Sequence, residues 1–233
     1  MCCIDRLKPQ LGADFHPFGQ TVRGIPIKEI SQNWCKANEF TDELFPNELA
    51  NVSPAADVAA IKKAGGSFSL AENFDGVNQL TALVGVYETC EKKVGTFLML
   101  LNSKANGKSG IAFLKQYDKA FFAFLMPRPN NRILFADCFG CDGGLIYTWT
   151  GSELGENIAL KGESVCLNRG SIIYSTANEH SEPVYKTDKL ENAKVLSIGL
   201  RQGDYFWHQV KLDNGNVGFA LNSTFNFEPG FCQ

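Results

Sequence analysis

The spacing of turn signals between residues 80 and 151 is the strongest constraint on what this chain can fold into. Six strand-length apolar runs follow one another there: 81-TALVGVYE-88, 94-VGTFLMLL-101, 110-GIAFLKQY-117, 120-AFFAFLM-126, 132-RILFAD-137 and 145-LIYTWTG-151. Turn-forming residues separate them at Glu91 to Lys93, Asn106-Gly107, Pro129 to Asn131 and Gly143-Gly144. Parallel neighbours need a long crossover, and these connections are too short to hold one. An antiparallel meander is the arrangement that fits.

Helix signals lie upstream. In 53-SPAADVAAIKKAGG-66, Ser53 can cap, Pro54 sits where a missing N–H does no harm, Lys62 and Lys63 occupy the last turn, and Gly65 can take the left-handed stop. The first 50 residues lack periodicity and read as irregular, with short helical turns near 41-TDELFP-46. Together these predict an α+β antiparallel-sheet module over 1–160. The stretch 154-LGENIALKGES-164 is the junction. After it come strands at 171–175, 183–186, 194–198, 205–212 and 217–221, which predict a small β-barrel over 161–233.

Charge and length exclude some partners. A net charge of −3 and a pI near 5.7 give no basic field to draw nucleic acid or anionic lipid. The run 94–101 is far shorter than the roughly 20 residues of a membrane span. No nucleic-acid partner and no membrane span are expected.

Eight cysteines, an even number, suggest an oxidising compartment. The opening MCCIDRLKPQ shows no basic segment followed by an apolar one, so a periplasmic or secreted protein would have a leader absent from this sequence, with Cys2 or Cys3 open to lipidation. A cytoplasmic protein with free thiols is the alternative. In 137-DCFGCDGG-144, Cys138 and Cys141 could be a redox dithiol, half of a zinc site, or a disulfide stapling a turn. The Gly-Gly and strand that follow deny the pair a helix N-terminus, which favours the disulfide. On compartment grounds alone, Cys35 with Cys90 and Cys166 with Cys232 are reasonable long-range partners.

Strand parity divides 205-YFWHQVKL-212 into two faces. Phe206, His208, Val210 and Leu212 share the apolar one, and Tyr205, Trp207, Gln209 and Lys211 the other. The segments 183-PVYK-186 and 194-KVLSIGLRQGDYFWHQVKLDNGNVGFALNS-223 resemble bacterial SH3-like (SH3b) domains in their order of strands, Trp-centred strand and Gly-aromatic strand. The resemblance implies a barrel whose aromatic groove accepts an extended peptide, which makes Tyr205 and Trp207 binding candidates. The alternative is that Trp207 covers a loop. A second stretch, 73-NFDGVNQLTALVGVYE-88, resembles a degenerate FG-GAP or VCBS-type repeat. Its calcium-ligand positions fall on Asn73, Asp75, Val77 and Thr81. With one carboxylate among them, a structural turn is expected rather than a calcium site, and no cofactor is expected.

Catalytic constellations are hard to assemble from His16, His180 and His208, and no nucleophile elbow, zinc-binding helix or phosphate loop is present. The Met-Pro-Arg-Pro tip of 120-AFFAFLMPRPNNRILF-135 presents Arg128 as an interface candidate. The function expected is non-enzymatic binding of a protein partner in the cell envelope. An immunity or inhibitor protein acting on a toxin or hydrolase is the first choice. A peptidoglycan- or peptide-binding accessory protein is the alternative, and a thiol or zinc enzyme built on Cys138 and Cys141 the second alternative.

Overall fold

The computed structural model describes residues 16–41, 61–72, 80–103, 109–130, 132–136, 144–150, 154–202, 205–226 and 232. The chain divides into two compact units, Met1–Leu145 and Ile146–Gln233.

In the first unit, strands β1 (Thr21–Val22) and β2 (Ile25–Pro26) form a hairpin whose turn places Arg23 and Gly24 at φ 51° and 77°. A single helical turn, α1 (Ile27–Ile30), follows; Ile27 and Ile30, three apart, are its buried pair. Strands β3 (Trp34–Glu39), β4 (Ser69–Glu72), β5 (Leu80–Thr89), β6 (Val94–Ser103) and β7 (Ser109–Tyr117) make an antiparallel sheet. Its order is β3-β5-β6-β7, with β4 also on β5. One edge of β5 is thus shared: β4 pairs with residues 80–83 and β3 with residues 85–89. The core includes Trp34, Leu83, Tyr87, Phe97 and Met99. Strands β8 (Phe124–Arg128) and β9 (Arg132–Ala136) form a further hairpin, anchored by reciprocal backbone bonds of 2.7 and 2.8 Å between Leu125 and Ser67.

β10 (Leu145–Trp149), which enters the second unit at Ile146, pairs with β11 (Leu154–Glu156). The remaining strands are β12 (Ser164–Leu167), β13 (Ile172–Tyr174), β14 (Pro183–Lys186), β15 (Glu191–Gln202), β16 (Tyr205–Leu212), β17 (Val217–Leu221) and β18 (Phe225–Asn226). They form a seven-stranded sheet in the order β14-β13-β17-β16-β15-β12-β18. Val165, Leu167, Ile173, Val195, Val210, Leu212 and Phe225 pack on one of its faces.

Three expectations are corrected. Among the described residues the fold is almost all β, with 59% strand and 6% helix, and not α+β. Of the helix expected over 53–66, the described part is its end, helical over 61–63, with Gly65 at φ 82° as the stop and the amide of Gly66 donating to the Ile61 carbonyl at 2.8 Å. Residues read as irregular near 34–39 are a strand. Nor is the second unit a closed SH3-like barrel: its sheet runs open from β14 to β18. Closure would need those two strands to pair. β14 begins at Pro183, which has no N–H to offer, and β18 is two residues long.

Candidate functional site

The two faces of the second unit's sheet differ sharply. On the inner face, Phe206, His208, Val210 and Leu212 of β16 are all buried, as their parity requires. His208 is held from both sides: Nδ1–H donates to the Phe206 carbonyl (3.2 Å), and Nε2 accepts the Ala159 amide N–H (3.3 Å). Its ring meets Phe225 edge-on at 4.8 Å. Burial pushes its pKa down from 6.5 to about 4, so the ring is neutral near pH 7. A buried, doubly bonded, neutral imidazole is a structural core group.

The opposite face is built from Tyr205 and Trp207 of β16, with residues that register and parity bring beside them. Trp207 lies opposite Leu221, Gln209 opposite Phe219, and Phe219 opposite Tyr174. Tyr174, Phe219 and Leu221 are partly exposed. At the rim Tyr205 is 52% and Val217 40% exposed. Contiguous apolar side chains half-open to water are the common mark of a contact surface. Beside them, Lys194 and Lys211 face each other directly across β15 and β16, both exposed and neither in an ion pair among the described residues. Like charges opposite one another cost a sheet stability. An acidic group placed over the pair would turn that cost into attraction.

Tyr205 is therefore a surface residue of this face. Trp207 is 1% exposed: its indole N–H donates to Gln202 Oε1 at 2.8 Å and its ring meets Tyr174 edge-on at 5.6 Å. It forms the floor of the patch and offers no open ring to a ligand. Sequence reasoning missed Tyr174, Phe219, Leu221 and Lys194. Their signal was available in parity, since each shares a face with Trp207 once β15 and β17 are placed beside β16 and β13 beside β17.

Arg128 is exposed at the end of β8, opposite Arg132, and belongs to the first unit. Cys35–Cys90 and Cys166–Cys232 are disulfides, closing loops of 55 and 66 residues of separation. Cys2, Cys3, Cys138 and Cys141 lie outside the described residues, as do Asn73, Asp75 and Val77 of the repeat-like stretch. Thr81 lies on β5 opposite Leu101. His180 sits in an exposed loop, and His16 pairs with Glu88 at 3.1 Å. Glu88 is almost fully buried. Burial alone would raise its pKa, but hydrogen bonds from Lys92 and His16 together with the charges of Lys92 and Lys36 outweigh that and hold it below the usual carboxylate range. Among the described residues no group of three or more His, Cys, Asp or Glu is placed to hold a metal. No described helix is long and apolar enough to cross a membrane.

No protein-family model matches the sequence, and comparison with curated proteins and with solved structures returned no match.

Proposed function

We propose that this is an exported, non-catalytic binding protein of the inhibitor or immunity type, which grips a toxin or envelope hydrolase through the Tyr174–Phe219 face of its C-terminal sheet. The observation that carries the reading is that face: a half-open apolar patch over Trp207, with Tyr205 exposed at its rim and an uncompensated lysine pair beside it. Its chemistry suits an acidic protein surface with apolar residues of its own, since Lys194 and Lys211 steer the encounter while Tyr205 and Phe219 supply desolvated contact area. Two long-range disulfides are compatible with an oxidising compartment and support export.

The test is affinity capture on the immobilised protein from envelope and secreted fractions, repeated with Phe219→Ser and Tyr205→Ala. Loss of one stoichiometric protein with both variants, together with inhibition of that protein's activity by the wild type, is the expected result. Capture unchanged by either substitution would move the interface elsewhere. Retention of wall fragments alone would favour the accessory-protein reading.

A further inference from the structure

The two disulfides occupy different chemical settings. Cys166 is 5% exposed, on β12 in the interior of its unit. Cys90 is exposed and Cys35 partly so. Cys35 also falls where the β3–β5 register shifts between Trp34 and Lys36, so the bridge ties an irregular edge position to the residue just past the end of β5. The first bridge has the solvent access that thiol–disulfide exchange requires.

A cation stands over it unequally. Lys28 Nζ lies 3.2 Å from Cys90 Sγ and 3.9 Å from Cys35 Sγ. The ammonium is held there by the turn that follows α1: Nζ donates to the Gln32 carbonyl at 2.9 Å, and Gln32 Nε2 donates back to the Lys28 carbonyl at 3.0 Å. An adjacent ammonium stabilises a thiolate, and the sulfur that leaves as the better-stabilised thiolate leaves faster. The asymmetry therefore selects which sulfur leaves.

We propose that Cys35–Cys90 is a thiol–disulfide exchange site, at which an incoming thiolate attacks Cys35 Sγ and Cys90 departs as a thiolate paired with Lys28. The first step forms an S–S bond between the attacking thiol and Cys35 and breaks the Cys35–Cys90 bond, whose electron pair goes to Cys90. A second thiolate then attacks the mixed disulfide, frees Cys35 as thiolate and leaves the reductant as its own disulfide. The co-substrate class is a small thiol or an exposed dithiol of the Cys-x-x-Cys kind: the dithiol loses two electrons and the bridge gains them. The first unit keeps its sheet through this step, because residues 36–39 of β3 remain paired with β5 and Trp34 stays stacked on Tyr87. Cys166–Cys232 is the internal control, with one sulfur buried and no lysine bonded to it among the described residues.

The experiment uses the full chain isolated without reductant, exposed to graded reduced glutathione, quenched by rapid alkylation and mapped by peptide mass spectrometry. The expected result is labelling at Cys35 and Cys90 well before Cys166 and Cys232, with the transient glutathione adduct on Cys35. Lys28→Met should slow adduct formation several-fold, Lys28→Arg should restore most of the rate, and Lys93→Met, which removes a lysine paired instead with Glu91, should leave it unchanged. Near-UV circular dichroism of each variant separates a lost fold from a lost cation. Free thiols at Cys35 and Cys90 in the isolated protein, equal labelling of both bridges, an adduct on Cys90, or a Lys28→Met rate equal to wild type in a folded protein would each overturn the proposal.

Discussion

Two of the three tryptophans, Trp34 in the first unit and Trp207 in the second, have the same formal environment and opposite roles. Trp34 is fully buried and Trp207 nearly so, and each donates its indole N–H to a glutamine side-chain oxygen at 2.8 Å. Trp34 sits in the aromatic core of its unit, stacked on Tyr87 at 4.5 Å and 6°, with Phe97 at 5.1 Å. Trp207 points away from its unit's core, and its neighbours on that face, Tyr174, Phe219 and Leu221, are all partly exposed. Burial alone does not distinguish them. The exposure of the neighbours does, and it identifies the second tryptophan as the floor of a surface patch.

The largest expected effect follows from this contrast. Trp34→Ala should leave a cavity that the surrounding Tyr87, Phe97 and Met99 cannot fill, costing the first unit about 3–5 kcal/mol. Trp207→Ala should cost the second unit about 2 kcal/mol, the transfer share alone, because solvent reaches the face and relaxes the hole. Urea melts followed separately for each unit's transition measure both. Equal costs would mean that Trp207 is packed as a core residue, and would break the comparison.

Next in size is the titration of His208, on the inner face of the same strand as Trp207. Its folded pKa is about 4 against an ordinary 6.5, so the unfolded chain binds the extra proton first as pH falls. Stability it contributes is complete above pH 6.5, falls progressively between 6.5 and 4, and is lost by about 3 kcal/mol below that. Glu163 is the charged group whose field partly opposes the shift. The second unit's melting midpoint should therefore drop between pH 7 and pH 4.5, and His208→Gln should flatten much of that slope. An unchanged slope in the variant would show that the ring is not held neutral, and would weaken the picture of a dry inner face beneath a wet outer one.

How far the sequence disclosed this arrangement depended on whether alternation was intact. Strands β5, β6, β16 and β17 kept a clear apolar character, and the turn at Asn214-Gly215, with Gly215 at φ 91°, marks the hairpin between the last two. Strand β3 hid because the register shift beside Cys35 displaces the pattern by one, so that its buried residues, Trp34 and Ala37, are three apart as in a helix. β12 hid for another reason: Val165, Cys166 and Leu167 are buried in succession and show no alternation to read. Closure depends on whether β14 and β18 meet; Pro183 at the head of β14 is a local sign against it, but the two-residue length of β18 shows only in the structure. Within the site, Tyr205 was visible as an exposed aromatic. The burial of Trp207 was not, since it depends on Tyr174 arriving from β13, distant in sequence, and on the Gln202 side chain folding back from the end of β15.

The smallest effect is also the most discriminating test of the outer face. Lys194→Glu replaces a like-charged cross-strand pair by an attractive one with Lys211, so the second unit should gain about 0.2–1 kcal/mol, and the gain should shrink as salt is added. The same change removes positive charge from the rim of the patch, and capture of the partner should weaken, chiefly through a slower, salt-dependent association. Stability and binding would then move in opposite directions on one substitution. That is what a retained, unfavourable lysine pair requires if it serves recognition. If the variant gained stability and captured its partner as fast as the wild type, the pair would be an incidental surface feature and the recognition would rest on Tyr205 and Phe219 alone.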